Sequence, residues 1–332
     1  MSLRKSAVGI VVGVAFFGAC RRSPVDVNPI VPSMNVGLAR APLGSPLEVT
    51  YTWTVEAGAT PIPAGHRAFV HFLDSSNKTV LFNDDHVPTP PPDQWKPGQT
   101  YSYRRTVFVP VVPYVGAAHL SMGLYPSSGQ GQRIALKAED IGMRAYKVGA
   151  IELLPQTESL FLVRKDGWHN EEAQAQDPEH TFTWTKKEAV VSFKNPQRDV
   201  IVYLDAETNA KAFPRVPVLT ISAGGRAGLS MPIETSEIFL KKVHFKAEQL
   251  GGEEWVDLRL SMDQSFIPKA LGSSHDDREL GLLVYHLHVV PADKIGSIVP
   301  SDQVDAQALS AAPAARPAAR PTAVPSRKPA SS

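Results

Sequence analysis

The chain has 332 residues, with 34 Lys and Arg against 33 Asp and Glu, and its formal net charge is +1. So even a balance offers no electrostatic reason to expect nucleic acid as a partner. A single cysteine excludes an intramolecular disulfide framework, so the fold must rest on apolar cores, and the length allows two domains of ordinary size.

Taken in order, the chain opens with Arg4 and Lys5, then an unbroken apolar and glycine run from Ala7 to Phe17. A run of about eleven residues matches a secretory signal and falls short of the roughly twenty needed to span a bilayer. Gly18 and Ala19 are small, and Cys20 follows directly. This arrangement resembles the lipobox of bacterial lipoproteins, which implies a signal peptide over 1–19 and lipidation of Cys20 as the first mature residue. Phe17 stands where that family places an aliphatic residue. The alternative is an ordinary signal cut after Cys20, with Gly18 at the third position before it. An uncleaved anchor is opposed by Arg21 and Arg22, which end the apolar run early. Lipidation would consume a thiol that is otherwise free outside the cell. Two or more acyl chains, at about 0.8 kcal/mol per buried CH₂, hold a protein stably at a membrane. Arg21 in place of Asp points to the outer membrane rather than the inner, within a cell envelope.

Residues 20–34 carry Pro24, Pro29 and Pro32 and read as an extended tether, with an edge strand at the far end as the alternative. From 35 to 150 the pattern predicts an immunoglobulin-like β-sandwich. Leu47 to Val55 alternates, with Leu47, Val49, Tyr51, Trp53 and Val55 on one face. Ala68–Leu73 and Thr79–Asn83 flank the turn-rich Asp74–Lys78 as a hairpin, and Tyr101–Val109, Ala118–Leu124 and Arg133–Leu136 read as further strands. The run HFLD…LFNDDH, then WKPGQ, RTVFVP, GLY and QRIAL, resembles small sandwich domains of bacterial cell-envelope proteins, including those appended to membrane glycosyltransferases. That resemblance implies a non-catalytic sandwich.

Residues 151–158 read as a linker, and 159–296 as a second sandwich. Its strands are expected at Thr181–Thr185, Ala189–Phe193, Val200–Asp205, Val218–Ser222, Glu237–Phe245, Glu254–Leu260 and Leu280–Val290. The order GW, WTKKEA, FIP and DRELG resembles galactose-binding-like jelly-roll domains. From 297 to 332 the chain is Ala/Pro-rich and basic, with no acid after Asp305, a composition expected to be disordered. The expected fold class is therefore all-β: two tandem sandwiches between a signal and a tail.

No serine-hydrolase elbow, zinc-protease helix, phosphate loop or dinucleotide fingerprint occurs, and the sequence calls for no cofactor. Gly224–Gly228 reads as a tight turn between two strands. His71, Asp84, Asp85 and His86 lie near one hairpin as weak candidates for a metal, with strand-end solvation or turn capping as the plainer account. A sugar site needs an aromatic platform beside hydrogen-bonding groups. The candidates are Trp168 with His169, Asn170 and Glu172, and Trp95 in the proline-rich loop, each set against a packing role. These readings point to a membrane-anchored, non-catalytic binding or assembly module for glycan or envelope proteins. The alternatives are a structural adaptor that works through strand edges and an enzyme drawing carboxylates from Asp166, Glu171, Glu172, Asp276 and Asp277.

Overall fold

The computed structural model describes residues 27–129, 131–157, 161–174, 177–272 and 274–294. The signal, Cys20 and the tail lie outside those residues. Alternation of apolar and polar side chains sets the strands of the first sandwich: β1 (Ile30–Val36), β2 (Arg40–Pro42), β3 (Pro46–Val55), β4 (His66–Leu73), β5 (Val80–Asn83), β6 (Gln99–Phe108), β7 (Gly116–Pro126) and β8 (Tyr146–Leu154). One sheet has the order β1-β3-β6 and the other β2-β8-β7-β4-β5, with β2 parallel to β8. Leu47, Val49, Tyr51, Trp53 and Val55 of β3 all point into the core, against Val70, Phe72, Leu120, Met122, Ile151 and Leu153.

Three sequence expectations change here. The sandwich begins before Asn35: β1 pairs with β3 from Ile30↔Val55 to Val36↔Val49, so the far end of the expected tether is an edge strand. Its proline spacing allows this, because Pro32 sits on a sheet edge, where a missing N–H costs no ladder bond. The expected linker is also shorter, because Ile151–Leu154 continues β8 with Ile151 and Leu153 buried. Arg133–Leu136 forms no strand; it is held by single contacts such as Ile134 N–H to Leu124 O at 3.0 Å and an isolated bridge from Leu136 to Asn28.

The second sandwich is built from β9 (Leu162–Arg164), β10 (Trp168–Gln174), β11 (Asp177–Thr185), β12 (Glu188–Lys194), β13 (Val200–Glu207), β14 (Val218–Ala223), β15 (Arg226–Pro232), β16 (Phe239–Phe245), β17 (Trp255–Met262) and β18 (Leu283–Pro291). Its sheets have the orders β10-β11-β18-β13-β16 and β15-β14-β17-β12-β9. Between them lies a core that includes Val191, Phe193, Val202, Leu204, Leu219, Ile221, Leu258 and Leu260. Gly224 and Gly225, both with positive φ, make the β14–β15 turn expected of them.

The two sandwiches meet face to face. Glu48, on the outward side of β3, is only 4% exposed. It receives Lys242 of β16, whose Nζ lies 2.9 Å from each carboxylate oxygen, and the Thr106 hydroxyl at 3.0 Å. Phe108 stacks on His286 at 4.1 Å and lies 5.2 Å from His288. Ile201, Tyr203 and Val290, with Phe108, Leu240 and Ala292 around them, form a third small apolar cluster. Burial first, then the Glu48 charge, pushes the Tyr203 hydroxyl above its ordinary range. His288 is lowered from 6.5 to about 4 by burial and by neighbouring His286, and among the described residues its Nε2 is buried without a partner.

A buried ion pair is costly to break from one side, because the remaining charge stays desolvated. Glu48→Ala is expected to cost about 3–5 kcal/mol and to separate the unfolding of the two sandwiches, seen as two transitions in place of one. The pairing Glu48→Leu with Lys242→Met restores a single transition. Acid should also loosen the joint. With a folded pKa near 4 and an ordinary value of 6.5, the stability contributed by His288 is complete above pH 6.5 and lost as the pH falls through about 4. Glu48, Lys242, Asp205 and His286 all remain in His288→Leu, so a radius of gyration that no longer grows between pH 6.5 and 4 in that variant identifies His288 as the sensor.

Candidate functional site

Tyr51 and Trp53 are both fully buried inside the first sandwich, and their polar atoms need partners. Tyr51 donates its hydroxyl to Asp84 Oδ2 at 2.8 Å, and Trp53 donates Nε1–H to Tyr103 Oη at 3.3 Å. His86 Nδ1 lies 2.6 Å from the Asp84 carbonyl oxygen, so it must carry the proton. Its Nε2 therefore accepts from Tyr103, 2.7 Å away. Arg105 grips the Asp84 carboxylate through Nε and Nη2, the latter at 2.7 Å. Burial alone would raise Asp84; the hydrogen bonds from His86 and Arg105 outweigh it and hold the carboxyl below its usual range.

This network answers the metal question for two of the four candidates. Asp84 and His86 spend their lone pairs and protons on protein groups, and their side chains are nearly buried. His71 and Asp85 lie 3.8 Å apart on the neighbouring surface, and Asp85 Oδ1 also accepts the Val70 N–H at 3.0 Å. Among the described residues no three such groups converge. Trp95 is corrected as a platform: it is 7% exposed, stacks on Tyr101 and Trp53, and donates Nε1–H to Pro90 O at 2.9 Å.

Trp168 lies where the chain leaves one sheet of the second sandwich for the other. Gly167, at φ +87°, makes that crossing, and a Cβ there would fall 1.8 Å from Glu188 O. The Trp168 ring packs partly into the core, its Nε1–H bonds Val190 O at 2.8 Å, and Arg164 lies over one face at 5.3 Å. His169 Nε2 lies 2.8 Å from Glu279 O, Asn170 is exposed, and Glu172 accepts from Arg278 Nη1 at 2.6 Å. Arg278 also forks onto Asp276, whose pKa its hydrogen bonds lower to about 2. Of the carboxylates considered for an enzyme, Glu172 and Asp276 thus flank one guanidinium, and Asp276 cannot hold a proton to donate near neutrality. Trp168, His169 and Glu172 are thus tied to three separate partners, Val190, Glu279 and Arg278.

A third arrangement joins residues that lie far apart in the chain, and for that reason local sequence pattern does not group them. The joint covers the outward side of β13, β16 and β18; among the described residues the outer face of β15-β14-β17-β12-β9 lies away from it, with Val190 and Ser192 of β12 buried beneath neighbouring side chains. Along β17, Val256, Leu258, Leu260 and Met262 enter the core, so Trp255, Asp257, Arg259 and Ser261 face outward. Trp255 is 48% exposed and pairs with Lys194. Leu162, the first residue of β9, packs inward opposite Phe193, and Phe161, 54% exposed, immediately precedes the strand. In the next row Val163 lies beside Ser192 and Asp257. Asp257 accepts from Lys165 at 2.6 Å and from Ser192, bonds that hold its carboxyl low, while Glu188 pairs with Arg259. The signal that could have found this face is the alternation W-V-D-L-R-L-S-M from Trp255 to Met262.

No protein-family model matches the chain, and no curated protein does. Among solved structures it is similar to a family GH115 4-O-methyl-α-glucuronidase, BtGH115A, at 14% identity and a TM-score of 0.30, covering 48% of this chain and 20% of that one. It is also similar to the tandem CBM22 domains of Paenibacillus barcinonensis Xyn10C, at 9% identity and 0.24, covering 79% and 93%. The tandem CBM51 modules of a family 98 glycoside hydrolase from Streptococcus pneumoniae match at 9% and 0.21, covering 74% and 84%. The chain thus spans a fifth of the glucuronidase, and at these scores none of the three carries a ligand over to it.

Asp84→Ala would strip Tyr51 of its acceptor and Arg105 of its counter-ion. The expected cost is about 3 kcal/mol, read as a lower denaturation midpoint with an unchanged m-value. Trp168→Phe, which keeps the packing but removes the bond to Val190 O, should cost about 1 kcal/mol.

Proposed function

We propose that this chain is a non-catalytic binding module that takes glycan on the outer face of its second sandwich. The observation that carries the reading is Trp255: a large aromatic, half exposed on an outward strand face, with the Asp257 carboxylate and the Lys165 ammonium close by. A pyranose ring offers one face of C–H groups to an indole and a rim of hydroxyls to polar neighbours, and this face supplies both. Lys165 with Asp257 and Glu188 with Arg259 are already paired, which favours an uncharged ligand over a strongly acidic or basic one.

The same proposal places the module at a cell envelope, lipid-anchored through Cys20 and on the outer membrane where there is one. The support is the residue pattern of the leader, and the first sandwich then acts as the spacer between the membrane and the glycan-facing domain.

Two measurements test these statements. The full chain in detergent, applied to an array of envelope and plant polysaccharides, should bind, and Trp255→Ala should weaken that binding about tenfold or more without moving the denaturation midpoint. Absence of binding across the array would overturn the glycan reading. Mass spectrometry of the mature N-terminus should find diacyl- or triacyl-modified Cys20; an unmodified Cys20 or a start at Arg21 removes the anchor.

A further inference from the structure

The spacing of the outer face narrows the ligand, and this step rests on the glycan reading above. Lys194 pairs with Trp255 across β12 and β17, and β9 ends at Leu162 opposite Phe193; the same register carried one residue past the end of β9 brings Phe161 to the position beside Lys194. The two aromatic residues are therefore two strand spacings apart, about 10 Å, measured across the strands. Both are about half exposed on the same side of the sheet. The exposed hydrogen-bonding groups of the adjacent row are Asp257 and the Lys165 ammonium bonded to it, while Ser192 is buried beneath them and donates to Asp257.

We infer that the ligand is an extended, uncharged polysaccharide with equatorial β-1,4 linkages, lying across the strands with alternate sugar rings on Phe161 and Trp255. In such a chain each residue is turned over relative to its neighbour. Residues two apart repeat the same orientation at about the separation of two strands, so one disaccharide bridges the two platforms. The intervening sugar sits over Lys194, and its hydroxyls reach the Asp257 and Lys165 groups of the adjacent row. A helical α-1,4 chain curves away from a flat row, and a β-1,3 chain turns its successive rings out of one plane; neither meets both platforms. Lys165 is paired with Asp257 and Arg259 with Glu188, so four of the charges on this face are matched internally and Lys194 is the further cation beside Trp255.

Two single variants separate this ligand class from glycan binding in general. The full chain is sedimented with insoluble cellulose, chitin, β-1,3-glucan and starch granules, and bound protein is measured against its concentration. Cellulose or chitin is expected to retain the protein at least about tenfold better than the other two. Phe161→Ala and Trp255→Ala should each weaken retention about tenfold, and Phe161→Trp should strengthen it. Both positions are exposed, and an unchanged denaturation midpoint confirms that the variants fold. Equal retention by starch or β-1,3-glucan overturns the linkage assignment. Loss in Trp255→Ala with less than twofold change in Phe161→Ala overturns the two-platform geometry while leaving the glycan reading intact. Retention by none of the four, together with no binding on the polysaccharide array, overturns both.

Discussion

The arrangement of the whole molecule depends on one buried ion pair, Glu48 with Lys242. Neither charge would be stable at 4% and 11% side-chain exposure without the other, and the Thr106 hydroxyl and the Tyr203 ring complete the enclosure. Around it, Phe108 and the two histidines of β18 supply flat apolar contact, and Ile201 and Val290 supply the rest. An ion pair of this kind adds little net stability compared with well-packed apolar groups. It does penalise every other docking, since any shift leaves a charge buried and unpaired. The two sandwiches are thereby held in one orientation.

That orientation decides which surfaces are available. One sheet of the second sandwich is spent on the joint through β13, β16 and β18, so its opposite sheet becomes the outward one. Trp255 and Phe161 lie on that sheet. The other aromatic candidates are consumed in place. Trp95 is stacked between Trp53 and Tyr101, and Trp168 is tied to Val190 and overlain by Arg164. The polar network around Asp84 belongs with these: it satisfies the tyrosines and tryptophan that β3 and β6 bring into the first core and the histidine that follows β5, and it explains why a carboxylate and a histidine stand side by side without serving as ligands.

Much of the fold was legible from local pattern. Where a strand has one buried face, period-two alternation specifies it: β3 follows the expected phase, and strands stand where they were expected at β4, β7, β12, β13, β14 and β17. Misreadings fell where local pattern conflicts with position. Proline at Pro32 suggests a tether until an edge strand is seen to tolerate it, and Arg133–Leu136 has strand-like residues but no neighbouring strand to pair with along its length. The sugar site was sought where polar residues cluster around a tryptophan in the chain, at Trp168 to Glu172. On a strand, consecutive residues point to opposite faces, so such a cluster is divided by the sheet, whereas residues from three strands can form one row.

By itself the sequence determined the all-β class, the two apolar cores, and the turn chemistry at Asp74–Lys78 and Gly224–Gly225. These are properties of residues within a few positions of one another, where alternation and backbone preference act. Only the tertiary structure decided that Glu48 is buried, that Trp95 is core, and that Phe161 and Trp255 share a row. Each depends on contacts between segments distant in the chain. An outward-facing glutamate on a strand looks the same in sequence whether water or a lysine 194 residues away lies opposite it.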